Sequence, residues 1–170
     1  MFGVLHGGLA RWHRANPVAC LRVESLYATP VLLSGLASLV LSNKQENLLD
    51  HYYKVHIERL LKLHQATPAP VVFLLAGCLP FKAIHHLRMV TLFSQLCRLR
   101  DGDNVLARKA SCFFSSAQTC SKSWFRKLRS LFLFYGLPHP SKWVTSPPTK
   151  SYMKRLVKPA VISYYCKPST

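Results

Sequence analysis

Two rows of basic residues are the part of this chain whose types and spacing best suit contact with a charged partner. Lys122, Arg126 and Arg129 recur every three or four residues, and Lys150, Lys154 and Lys158 do the same with Arg155 beside them. On a helix this spacing lines charges along one face. Cations so arranged neutralise phosphates and release condensed counterions, a contact that carries no base sequence information. Trp124, Phe125, Phe132, Phe134, Tyr135, Trp143, Tyr152, Tyr164 and Tyr165 lie among the charges. Flat rings either stack on unpaired bases or pack a small core. The plainer reading of each row is a solvated helix face, with Trp124 in the core beside Leu128, Leu131 and Tyr135. Phosphate contact is favoured because there are two rows and no acid after Asp103 to compensate them.

Other constellations offer less chemistry. His85, His86, Cys97, Cys112, Cys120 and His139 are the zinc-ligand types, but no pair among them has the close Cys-x-x-Cys or His-x-x-x-His spacing of a metal motif. No metal or cofactor is therefore expected, and Cys97 and Cys112 read as small core residues. The six carboxylates, Glu24, Glu46, Asp50, Glu58, Asp101 and Asp103, include no Asp-Asp pair able to hold two magnesium ions. Gly7-Gly8 lacks the Lys-Ser/Thr of a phosphate loop. Nothing here predicts an enzyme.

The global balance points the same way. The 170 residues carry a formal charge of +17 and are 49% apolar, enough to bury a core. Up to Asp103 there are 11 basic and 6 acidic residues; beyond it, 12 and none. Such a charge suits nucleic acid or an anionic membrane surface. The apolar stretches Val31 to Leu41, Pro68 to Phe81 and Leu131 to Leu137 fall short of the roughly 18–20 residues needed to cross a bilayer. A secretory signal is not expected at the start, and the six Cys are expected as reduced thiols.

These residues must be positioned by helices, because no strand-like alternation of useful length is present. Asn16-Pro17 starts a helix that Thr29-Pro30 ends. Pro30 to Leu41 reads as a buried central helix. Ser42 and Gln45 form a capping box opening a long helix to about His64, with Leu49, Tyr52, Tyr53, His56, Leu60 and Leu63 on one face. Thr67-Pro68 begins a short helix closed by Gly77, and Pro80 begins another to about Arg100. Asp101-Gly102-Asp103 is a turn. Further helices are expected near Val105 to Ser115, from Ser121 to Tyr135, and after Ser146-Pro147-Pro148-Thr149, the last kinked or broken at Pro159.

Asn16-Pro17, the run Tyr27-Ala28-Thr29-Pro30-Val31-Leu32-Leu33-Ser34-Gly35-Leu36, and Leu74-Leu75-Ala76-Gly77-Cys78-Leu79-Pro80 are followed by Ser121-Lys122-Ser123-Trp124-Phe125. Then come Tyr135-Gly136-Leu137-Pro138-His139-Pro140, Ser146-Pro147-Pro148-Thr149-Lys150 and Val157-Lys158 with Tyr164. In this order the motifs resemble the C-terminal part of the reverse transcriptase of LINE-type (non-LTR) retrotransposons. The chain departs from that pattern at Ser34, Ala37 and Pro159. The resemblance implies the passage from polymerase palm to helical thumb, then a basic extension, without the catalytic Asp-Asp motif. It also implies an intracellular setting, nucleus or cytoplasm.

The expected architecture is all-α: an irregular, thumb-like helical bundle with a basic helical C-terminal extension. Residues 1–16 form an N-terminal remnant, 17–100 the thumb-like region and 101–170 the extension. The expected role is a non-catalytic grip on RNA or a template–primer duplex, with a polymerase palm as a possible second partner. Two alternatives stand beside it: a basic amphipathic protein on anionic membranes, and a decayed remnant without function.

Overall fold

A computed structural model of the chain describes residues 16–33, 35–99, 105 and 123–166. Among these residues the fold is all-α, with helices and no strand. The order is α1 (Pro17–Val23), a π-turn (Glu24–Ala28), α2 (Thr29–Leu33), a short 3-10 turn (Leu36–Ser38), α3 (Asn43–Leu61), α4 (Ala69–Ala76) and α5 (Phe81–Leu99). Then come α6 (Trp124–Phe134), α7 (Pro140–Thr145), α8 (Lys150–Tyr152), a second π-turn (Met153–Val157) and α9 (Lys158–Cys166). Lys122, most of the helix expected near Val105 to Ser115, and the Asp101 to Asp103 turn lie outside the described residues.

The helix ends follow local chemistry. Asn16 accepts from the Val18 N–H at 2.9 Å, with Pro17 in the first turn, where its missing donor is no loss. Ser42 and Gln45 make the reciprocal capping box: Gln45 Oε1 accepts from the Ser42 N–H at 2.9 Å, and Ser42 Oγ from the Gln45 N–H at 3.3 Å. Gly77 and Gly136 terminate α4 and α6 at φ of 62° and 64°, a left-handed backbone that glycine adopts without steric cost. Lys62 does the same after α3 at φ 55° without being a glycine. That geometry costs a residue with a Cβ roughly 1–2 kcal/mol.

Both prolines expected to interrupt helices are instead carried through them. The structure corrects the break at Pro30 and, of the break or kink expected at Pro159, the break. Each is preceded by a five-residue π-turn that ends two positions earlier, at Ala28 and at Val157. Within these turns the Thr29 N–H donates to Glu24 O and the Lys158 N–H to Met153 O, one residue further back than in an α-helix. Proline lacks the N–H, and its ring collides with the carbonyl four residues before it. Widening the turn moves that carbonyl aside, so the helix continues.

A second correction concerns Pro30 to Leu41. The helix stops at Leu33, Gly35 turns left-handed at φ 81°, and Val31, Leu39 and Val40 are exposed. This segment is an anchored turn and not a central buried helix. The central helix is α5. Phe81, near its start, joins Leu33, Tyr53, Ile57, Val72 and Phe73 in one apolar cluster. Further along, Ala83, Met89, Val90, Phe93 and Cys97 join Leu128, Leu131, Phe132, Trp143, Val157 and Val161 in a second. This second core draws on α5 and, among the described residues, on α6, α7, the second π-turn and α9, so packing joins the described parts of the chain on either side of the jump in charge at Asp103. Helix α7 was not foreseen. His139 caps it by accepting from the Ser141 N–H, and it delivers Trp143 onto Phe132 with ring centroids 4.6 Å apart.

Candidate nucleic-acid interface and the buried carboxylate that braces it

The inner faces of α6 and α9 are fixed by the second core, so the other faces turn outward. Leu128, Leu131 and Phe132 hold α6; Val157 and Val161 hold the last helix. Arg98 Nη1 donates to Pro148 O at 3.1 Å, tying the end of α5 to the turn before α8. Arg126 and Arg129 on α6, and Lys150, Lys154, Arg155 and Lys158 on the last helix, are all exposed. Among the described residues no carboxylate pairs with Arg126, Lys150, Lys154, Arg155 or Lys158.

The acids explain why. Glu24, Glu46 and Glu58 are 5%, 0% and 2% exposed. Glu24 pairs with His56 at 3.1 Å and Glu58 with Lys54 at 2.8 Å. Asp50, half-buried, accepts from the Lys82 backbone N–H at 3.3 Å. Negative charge is thus drawn into the interior while most lysines and arginines stay outside. The described surface is more positive than the counted charge suggests, and phosphate would meet little opposing field.

Lys127, like Lys54, is drawn to a buried acid. Its ammonium turns inward to Glu46 Oε1 at 3.1 Å, and Lys82 Nζ stands 3.8 Å from Oε2. His86 Nε2 is 3.3 Å from Oε1 and His85 Nδ1 3.8 Å. A carboxylate only accepts, so His86 Nε2 carries the hydrogen, and its Nδ1 accepts from the Tyr135 hydroxyl at 2.7 Å. His85 Nε2 donates to the Leu36 carbonyl at 3.0 Å, and Trp124 Nε1 donates to the Ala37 carbonyl at 2.8 Å. One carboxylate on α3 therefore joins α5 and α6, while the flanking His85 and Trp124 pin the turn between α2 and α3. Trp124 is partly buried against the second core.

The ligand-type atoms of Glu46, His85 and His86 lie within 4.8 Å of one another, the one such grouping of three among the described residues. Two ammonium groups already face this carboxylate, so a divalent cation would have to displace them. The arrangement is better suited to holding protons and helices together. Of the other ligand types named from the sequence, Cys97 packs in the second core, His139 caps α7, and Cys112 and Cys120 lie outside the described residues.

Burial lowers the His86 imidazole below its ordinary value despite the pull of Glu46. Burial would raise the Glu46 carboxyl, but the close approach of His85, the hydrogen bond from His86 and the nearby Lys127 outweigh it and hold the group well below the carboxylate range. Both depressions give stability the same sign. Below about pH 6.5 an unfolded His86 takes up a proton that the folded one refuses, and below about pH 4.3 an unfolded Glu46 does likewise. Asp50, raised by burial, opposes this only within the carboxylate range. Urea midpoints should therefore be level from pH 8 to 7 and fall steadily from about 6.5 to 5. A level profile down to pH 5 would mean that His86 is solvated and not clamped between Tyr135, Glu46 and Lys127.

Comparison with known proteins finds no matching family model, no matching curated protein and no matching solved structure.

Proposed function

We propose that the chain binds nucleic-acid backbones, RNA or a template–primer duplex, through Arg126, Arg129, Lys150, Lys154, Arg155 and Lys158, with Lys122 as a further contact. The observation that carries this reading is the sorting of charge: three glutamates buried, six cations on two outer helix faces. Contacts to phosphate and 2′-hydroxyl groups would dominate, so binding should depend little on sequence. The resemblance to the thumb and basic extension of LINE-type reverse transcriptases supports the same role, with a polymerase palm as the natural neighbour. In this reading the chain is a non-catalytic fragment. Purified protein supplied with primed RNA, magnesium and nucleotides should extend nothing, since no paired carboxylates are available for two metal ions. Template-dependent extension above a boiled control would overturn that.

The competing partner is an anionic membrane. Leu133, Phe134 and Tyr164 are 70%, 49% and 45% exposed beside the basic helices, which is the observation in its favour. No single helix among the described residues is long and apolar enough to cross a membrane. Full-length protein titrated at one ionic strength with duplex, single-stranded RNA and anionic vesicles separates the two. Nucleic acid should bind more tightly, with log affinity falling linearly against log salt. Tighter binding to vesicles, with Trp fluorescence shifted by lipid, would reverse the assignment.

A further inference from the structure

In a chain of formal charge +17, the runs Ser25 to Asn43 and Gln65 to Phe81 hold no charged residue. The fold sets parts of them side by side: Val18, Ser25, Leu74 and Leu75 all line the groove where α1 and the first π-turn meet α4. Around that groove Leu26, Tyr27 and Leu74 are 66%, 68% and 79% exposed, and Val18, Val31 and Leu75 are half exposed or more. Tyr27 and Val31 stand four residues apart on one strip of their helix, and Leu74 and Leu75 adjoin on α4. Arg22 is the only Lys or Arg from Pro17 to Leu41, and the one acid in that run, Glu24, is buried. The result is an apolar, nearly uncharged face on a strongly basic protein.

We propose that this face pairs with the same face of a second copy of the chain. Its six exposed apolar residues present about 700–800 Å², above the roughly 300–600 Å² of the largest apolar patch on an ordinary monomer and close to the about 800 Å² that each partner gives to a stable interface. Area sets the size of the cover, and charge selects its kind. Polyanions and anionic membranes are recognised through cations, and in Pro17 to Leu41 and along α4 only Arg22 supplies one. Two copies at +17 repel each other wherever their basic helices approach, whereas here they meet with almost no charge between them. A patch that meets its own copy makes a two-fold contact that closes at two chains. The basic rows lie on α6 and the last helix, outside this face, and stay exposed in such a pair.

Sedimentation equilibrium of the full chain tests this. At about 0.5 M salt it should show monomer and dimer with no larger species, and lowering the salt to about 0.1 M should weaken the dimer several-fold as like charges are unscreened, the reverse of nucleic-acid binding. Leu74→Glu combined with Leu75→Glu places four carboxylates in the paired face and should raise the dimer Kd by about 100-fold or more, about tenfold for each substitution. Both side chains are exposed in the single chain, so its melting should hold. Leu133→Glu makes the same exchange on α6 at a residue 70% exposed, and it should leave the Kd within about twofold. A native chain that stays monomeric at about 100 μM in high salt would overturn the proposal, and its partition onto neutral vesicles would assign the face to lipid. Open-ended assembly, or an equal loss of dimer in Leu133→Glu, would overturn it as well, because pairing would then run through another surface.

Discussion

Glu46→Ala should cost about 3–5 kcal/mol of folding stability, the range for breaking a buried ion pair from one side. The side chain is fully buried and is the anion for Lys127 at 3.1 Å and the acceptor for His86 at 3.3 Å. Removing it leaves the Lys127 ammonium, 19% exposed, and the His86 N–H without their acceptor inside the fold. Against a typical domain stability of about 5–15 kcal/mol, that loss would leave the fold marginal. Denaturant midpoints at constant m-value measure it. Asn47→Ala, one position along the same helix but exposed, is the control and should change little. Replacing Glu46 and Lys127 together by Leu and Met should recover part of the loss, because the Lys127 ammonium is no longer left unpaired and Lys82, 30% exposed, can turn to water, while the His86 N–H still lacks its acceptor. If Glu46→Ala costs under about 1 kcal/mol, the carboxylate is hydrated and does not brace α3, α5 and α6.

The punctuation of this fold was legible because its causes are local. Asn16, the Ser42–Gln45 box, Gly77 and Gly136 act on backbone groups within a turn of themselves, and each was found where its chemistry placed it. Pro30 and Pro159 do not break their helices because the cost of an interior proline assumes an α-helical neighbour, and a wide turn removes the clash. Pro30 to Leu41 was misread because an apolar run signals burial only when something covers it; Val31, Leu39 and Val40 are uncovered. The buried carboxylate had a signal that went unused. Glu46 lies three residues before Leu49 and seven before Tyr53, on the apolar face of α3. Lys127 likewise lies three after Trp124 and four before Leu131, on the inner face of α6. Two opposite charges on two inner faces are the mark of an internal ion pair, but which helices meet is a tertiary fact that periodicity does not carry.

Replacing Lys150, Lys154 and Lys158 together should weaken nucleic-acid binding by two or more orders of magnitude at moderate salt and flatten its salt dependence. Each phosphate contact contributes about 0.7 to 0.9 to the slope of log affinity against log salt, so three lost contacts remove about two to three units. Near 0.1 M salt, one decade below the molar reference, this corresponds to roughly a 100- to 500-fold loss, or about 3–4 kcal/mol. All three side chains are exposed and pair with no described carboxylate, so the fold should melt as before. Trp124→Ala should give the opposite pattern. Its indole nitrogen is committed to the Ala37 carbonyl at 2.8 Å and its ring packs on Phe125 with centroids 5.2 Å apart, so stability should fall while the slope holds in the folded fraction. The two variants separate a phosphate-contacting row from a solvated one. If the triple variant keeps the native slope, the lysines of the last helix meet only water. If it loses affinity equally at every salt concentration, they act through the fold and not through phosphate. A slope reduced by about 0.7 to 0.9 for each single Lys replacement would identify the last helix as the surface lying along the backbone, since only cations that displace counterions move that number.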